Sequence, residues 1–314
     1  MSDNPFSLLD FLGYFFPGAT VLIALYHYVP AVNHLFAIEE DASVMVYVVC
    51  IIASYVLGHI VALISSLTVE KYAIWKYGYP STYLLMSYSR GHYLDDAPME
   101  NDSIDDNSKI RFVSWKKGMK RLMLFVLAPI SILDWAFSEL MGIDYYYTRC
   151  LSSQQISMIR AKCVNLYKAL NLYSLNSDIF QGDFHRIIHN YYYEKANTHS
   201  KRMENCIAIY DFLRAMSFVF VVLFYVALVK GIGSIDFTCP IDWVSVSFIF
   251  GFFGVSYLCY MGFMKFYRKF SVENFMCLIC DADLNIASIM AQDDNPTTRD
   301  QSQQQENSNG ITAK

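Results

Sequence analysis

The sequence predicts an all-α protein, a four-span helical membrane protein with a helical cytoplasmic domain between spans 2 and 3. Three observations predict it. The 314-residue chain is 54% hydrophobic and only 17% charged, against about 45–50% apolar and about 25% charged in an ordinary soluble domain. Four apolar stretches approach or exceed the roughly 20 residues that a helix needs to cross a bilayer. Lys and Arg then cluster in the connections that this layout leaves on one side of the membrane. The net charge of -5 gives no reason to expect nucleic acid as a partner.

The first candidate span, Phe6 to Val29, starts close to Met1. It lacks a basic n-region and outruns a signal-peptide core, so it reads as a retained anchor. Pro17 and Gly18 interrupt it near its middle and form a candidate hinge. The second span, Val44 to Ser66, completes a hairpin over residues 1–67. The third and fourth, Leu213 to Lys230 and Trp243 to Met264, form another hairpin over residues 207–264.

The connections set the orientation. Ala31 to Ser43 contains no Lys or Arg, and neither does Gly231 to Asp242. The long connection instead carries Lys116, Lys117, Lys120 and Arg121, then Lys201 and Arg202, and the fourth span is followed by Lys265, Arg268 and Lys269. Basic segments stay inside, so both termini and the long connection are expected in the cytoplasm, with the spans in the cell inner membrane.

The cytoplasmic domain is expected over residues 68–206. Ser153 to Tyr173 places Ile156, Ile159, Cys163, Leu166, Tyr167 and Leu170 on one stripe at helical spacing. No Pro occurs from about Asp178 until Pro240, so one long helix is expected to enter the third span. Leu122 to Gly142 is apolar but contains Pro129 and Asp134. As a fifth span it would place Lys265 to Phe270 outside, against the charge rule, so it reads as a broken helix that is interfacial or buried. Tyr93 to Ser108 is an acidic, turn-rich loop. A juxtamembrane cytoplasmic helix is expected over 265–292, and a polar, low-complexity, disordered tail over 293–314.

Few residues offer chemistry. His185 and His189 lie one helical turn apart, which is metal-ligand geometry, but neither an HExxH glutamate nor further ligands accompany them. They read first as a polar helix face. Cys277 and Cys280 form a lone C-x-x-C with no second pair at zinc spacing, and core packing or membrane contact explains them. The sequence contains no P-loop, G-x-G-x-x-G, G-x-S-x-G or calcium loop. No cofactor and no catalytic residue is expected.

Ionisable groups in the spans carry more information, because each costs about 2.5–3.5 kcal/mol at a helix centre and faces protein or water. They are Asp10, His59, Asp211 and Arg214. The expectation is that Arg214 bridges Asp211 on its own helix and Asp10 on a neighbour, tying the bundle at its inner boundary. The simpler alternative is that these side chains snorkel to the interface. The third and fourth spans hold few polar residues, so a pore would require several copies, and a homo-oligomer is expected.

The stretches NPFSLLDFLGYFFPGATVL, YVLGHIVALISS and KRMENCIAIYDFLRAMSF resemble segments of uncharacterised bacterial multi-pass proteins that begin with an apolar D-x-x-G-Y-x-x-P-G run. In layout such proteins are similar to membrane components of anti-phage systems. The resemblance covers about a fifth of the chain and implies a non-enzymatic sensor or effector, whose cytoplasmic domain binds a signal or protein partner while its bundle rearranges in the lipid bilayer. The alternatives are a scaffold that docks a soluble partner and a membrane-surface metal enzyme using His185 and His189.

Overall fold

The structure is a computed structural model and describes residues 11–29, 44–85, 118–142, 147–170, 184–195, 197–233 and 243–281. Regular structure among the described residues is entirely helical. Three helical segments are long and apolar enough to cross a membrane, Val44–Leu85, Arg202–Gly231 and Trp243–Cys280. A fourth is reached if Gly118–Val126 and Ala128–Met141, bent by 90°, count as one broken span.

The first expected span takes a different form. A π-helical turn, Phe11–Phe15, leads into α1, Phe16–Tyr28, whose 13 residues extend only about 20 Å. Pro17 explains the junction. It has no N–H to return to the carbonyl one turn back, so the preceding turn widens, and its fixed φ suits the opening of the helix that follows. Pro17 and Gly18 are both buried, which places the candidate hinge inside a packed contact.

That contact is with α2, Val44–Ser65, a 22-residue helix about 33 Å long. A Cβ on Gly18 would lie 1.8 Å from the Ser54 carbonyl oxygen, and one on Gly58 would lie 1.8 Å from that of Tyr14. Small residues on each helix therefore admit the other's backbone, the means by which helices associate where lipid removes the hydrophobic drive.

After Ser65 the chain makes a second π-turn, Ser66–Glu70, before α3, Lys71–Tyr77, and α4, Pro80–Leu85. Hydroxyls sustain the irregular register. Ser65, Ser66 and Thr68 donate to the carbonyls of Ala62, Leu63 and Ile64 at 2.9, 2.8 and 2.7 Å, satisfying backbone acceptors beside the widened turn. Gly78, at φ 79°, ends α3 in a conformation that favours glycine.

Next come α5, Gly118–Val126, and α6, Ala128–Met141. Pro129 sits in the first turn of α6 and leaves the Phe125 carbonyl without its helical donor. The Tyr225 hydroxyl takes that place at 2.5 Å. The expected broken helix is thus observed, with its break at Leu127. Its inner side buries Leu127, Ile130 and Asp134, while Ile132, Trp135 and Leu140 are exposed on the other.

The remaining helices are α7, Ser153–Ala169, α8, Phe184–Lys195, α9, Asn197–Gly233, and α10, Trp243–Cys280. The unbroken helix expected into the third span begins at Asn197. At 37 and 38 residues, α9 and α10 are each about 56 Å long and outrun the roughly 30 Å hydrocarbon core.

The chain divides into two compact units. The first is Met1–Cys150 with Lys201–Ser271. Its core joins Tyr72, Ala73 and Tyr77 of α3, Leu127 and Ile130 at the bend, and Tyr257, Tyr260 and Phe263 of α10. A second cluster joins Val61, Ala215, Val219 and Leu223, with Val21 and Ala24 of α1 packed against it. The described residues of 68–150, expected to share a domain with 151–206, therefore group with the apolar helices, because side chains such as Tyr72, Leu127 and Ile130 are buried there. The other unit is Leu151–Ser200 with Val272–Lys314. In it α7 buries Ile159, Cys163 and Leu166, leaves Ile156 and Tyr167 half-buried, and α8 buries Phe184, Ile188 and Tyr192. Leu170, assigned to the same stripe, is exposed. The acidic loop over 93–108 and the tail over 293–314 lie outside the described residues.

Replacing Gly58 with Ala should lower the thermal midpoint of the purified protein by an amount corresponding to about 1–3 kcal/mol, the scale of overpacking. Gly251→Ala is the control, since a Cβ there meets nothing within 4 Å. Equal midpoints for the two variants would show that the α1–α2 approach is looser than described.

Candidate functional site

One buried polar group of the first unit lies where the π-turn after α2 meets α9. The turn brings Glu70 round to Arg214, whose Nη1 donates to Glu70 Oε2. Arg214 Nη2 lies 2.8 Å from Asp211 Oδ1 on the same helix. Two carboxylates thus share one guanidinium. Arg214 is 9% exposed, so water screens this arrangement less than at a surface. Arg214 Nε is buried with no hydrogen-bond partner among the described residues.

The sequence reading paired Asp211 with Arg214 correctly and assigned the second carboxylate to Asp10, which lies outside the described residues. It missed Glu70. The available signal was a lone acid just beyond an apolar run containing Ser65, Ser66 and Thr68, residues whose hydroxyls accompany the π-turn. His59 stands apart from the ion cluster. It is exposed and stacks on Tyr14 with ring centroids 4.1 Å apart, while Tyr55 meets it edge-on at 4.6 Å.

A second buried charge belongs to α6. Asp134, 1% exposed, accepts from Tyr72 OH at 3.0 Å, Lys76 Nζ at 2.6 Å and Tyr77 OH at 2.9 Å. All three donors come from α3. A carboxylate in an apolar core is costly unless paired and hydrogen-bonded, and here both conditions hold. Between α9 and α10, the buried Ser217 hydroxyl donates to the Ser256 carbonyl at 2.9 Å.

In the second unit, Asn274 of α10 lies between the two histidines. Its Oδ1 is 3.4 Å from His189 Nδ1 and its Nδ2 is 3.4 Å from His185 Nε2. The pair therefore faces an amide, and no group of three His, Cys, Asp or Glu side chains converges among the described residues. Asp281 gathers the same unit. Its carboxylate accepts from Tyr192 at 3.0 Å and from Lys195 at 3.0 and 3.2 Å, and its carbonyl accepts from Lys162. Burial, and then the bond to Asp281, push the Tyr192 hydroxyl up. Burial pushes the Cys163 thiol up to about 12.

The basic residues are dispersed. Lys265 and Lys269 are exposed, as is Arg121, and Lys120 is half-buried. Arg268 donates to the Arg149 carbonyl at 3.0 Å, and Lys269 lies 5.9 Å from the Phe266 ring centroid. Lys116 and Lys117 lie outside the described residues. In the C-x-x-C pair, Cys277 is half-buried and Cys280 exposed, and the described cysteines are free thiols.

Fold and site together define a helical, multi-pass membrane protein with a buried ion cluster. The chain matches no family model, no curated protein and no solved structure.

Arg214→Gln leaves Glu70 and Asp211 without their shared cation. The purified protein should lose about 3 kcal/mol, the lower end for a broken buried pair because Glu70 retains a quarter of its side-chain exposure. Adding Glu70→Gln should restore part of that loss, and a strictly additive double variant would show that the two residues do not act as a pair.

A pH effect follows from Cys163. Only the thiolate alkylates, and a pKa raised by burial keeps thiolate scarce at pH 8. Iodoacetamide should therefore label Cys150 and Cys280 well before Cys163, with the Cys163 rate rising from pH 8 to pH 10 while the fold persists. Peptide mass spectrometry showing all three labelled together would contradict the buried placement of α7.

Proposed function

We propose that the protein is a non-enzymatic sensor and effector of the cell inner membrane, with four spans, both termini cytoplasmic and several copies in the assembly. The spans would be the π-turn with α1, then α2, α9 and α10. The stretch Phe11–Tyr28 reaches about 27 Å when the π-turn and α1 are taken together, close to the hydrocarbon thickness. This assigns the protein to the class of membrane components found in anti-phage systems, to which the uncharacterised bacterial multi-pass proteins that its stretches resemble are similar in layout.

The observation that carries the proposal is the Glu70–Arg214–Asp211 cluster. It ties the end of the α2 segment to α9, and α9 continues unbroken to Gly233. A doubly paired buried guanidinium holds one arrangement until another compensates both carboxylates, which makes it a discrete latch. A signal or protein partner binding the cytoplasmic part shifts the bundle only through different affinity for the two arrangements. Self-association is supported by the use of Ser217 between α9 and α10, which takes it away from any polar lining of a single copy.

Membrane potential tests this reading in cells that carry wild type, Arg214→Gln or Glu70→Gln at matched membrane abundance. Wild type should depolarise the cells on overproduction or phage challenge, and the variants should do so constitutively or not at all. Potentials that stay intact with wild type under both conditions would end the effector reading.

A further inference from the structure

Away from the ion cluster, an open groove of about 440 Å³ runs along the contact of α1 with α9, within the roughly 300–1,000 Å³ of ligand sites. Val21, Ala24 and Leu25 of α1 face Val219, Leu223 and Val226 of α9 across it. At its end, Lys230 Nζ lies 4.6 Å from the centroid of the Tyr28 ring. From these features we infer that the groove holds one acyl chain of an anionic phospholipid, with the phosphate at Lys230.

Three features fit that occupant. The groove follows α9 from Val219 to Lys230, a rise of about 16 Å, which matches half of a roughly 30 Å hydrocarbon core. Apart from Tyr225 its walls are aliphatic up to the end where Tyr28 and Lys230 meet. An aromatic beside a cation is the pairing expected at headgroup level. Finally, Arg214 and Lys230 are about 24 Å apart along α9, so the two charges bracket the hydrocarbon and the groove belongs to the leaflet opposite the ion cluster. The Lys230 ammonium at that depth favours a phosphate whose headgroup carries no positive charge of its own. The inference rests on the placement of α1 and α9 in the membrane and not on depolarisation, so an intact membrane potential would leave it standing.

Native mass spectrometry of the full chain in detergent provides the test, with phosphatidylglycerol and phosphatidylcholine of identical acyl chains supplied in equal amounts. Wild type should retain phosphatidylglycerol in preference by about fivefold, the scale of one lysine near an anionic headgroup. Lys230→Met should abolish the preference. Val222→Trp, at a groove residue that is 43% exposed, should fill the space from outside and reduce retention of both lipids while leaving the thermal midpoint unchanged. Glycerol phosphate, which has no acyl chain, should not compete. The site is overturned if wild type binds both lipids equally, if Lys230→Met keeps the preference, if glycerol phosphate displaces the lipid, or if Val222→Trp removes a dimer and leaves lipid retention intact, which would assign the groove to a second copy.

Discussion

A polar group taken into an apolar surrounding is costly unless it finds a partner within the protein, and that constraint governs the breaks in the helices of this chain. Pro17 withholds an N–H and the preceding turn becomes a π-turn. Pro129 withholds another, and Tyr225 from α9 supplies the Phe125 carbonyl. At Ser66–Glu70, three hydroxyls take carbonyls beside the widened turn. Side chains replace backbone bonds lost at such breaks, and at Pro129 the replacing side chain, Tyr225, also joins α9 to the break.

The buried charges obey the same rule with larger energies. Asp134 is held by three donors from α3, and Arg214 by two carboxylates from α9 and the turn after α2. Pairs of this kind add little net stability over an apolar contact of similar volume, but leaving one partner alone is expensive. What they confer is definition of arrangement, since few alternatives satisfy the same groups. The Gly18 and Gly58 contacts act similarly through shape, because neither helix can shift without opening the backbone approach.

The middle of α9 and its C-terminal end then differ in character. Near Arg214 the helix is fixed by charge, whereas towards Lys230 it borders a largely aliphatic groove that ends where Lys230 meets the Tyr28 ring. The proposed latch and the proposed lipid site thus lie at two points about 24 Å apart along one helix.

Local regularities determined the helical class, the apolar segments that become α2, α9 and α10, the break within 122–142 and the inward stripe of α7 at Ile159, Cys163 and Leu166. These follow from the identities of residues three, four or twenty positions apart, which the sequence displays directly. The Asp211–Arg214 pair was legible for the same reason. Glu70 was not, because it stands 144 residues from Arg214 and reaches it only after a π-turn rotates it off the regular helical face. Asp134 finds its donors 57 to 62 residues away, and Asn274 meets His185 and His189 from another helix. Such partners depend on which helices become neighbours, and only the tertiary structure decides that, since packing depends on shape and polar satisfaction over the whole bundle and not on any one segment.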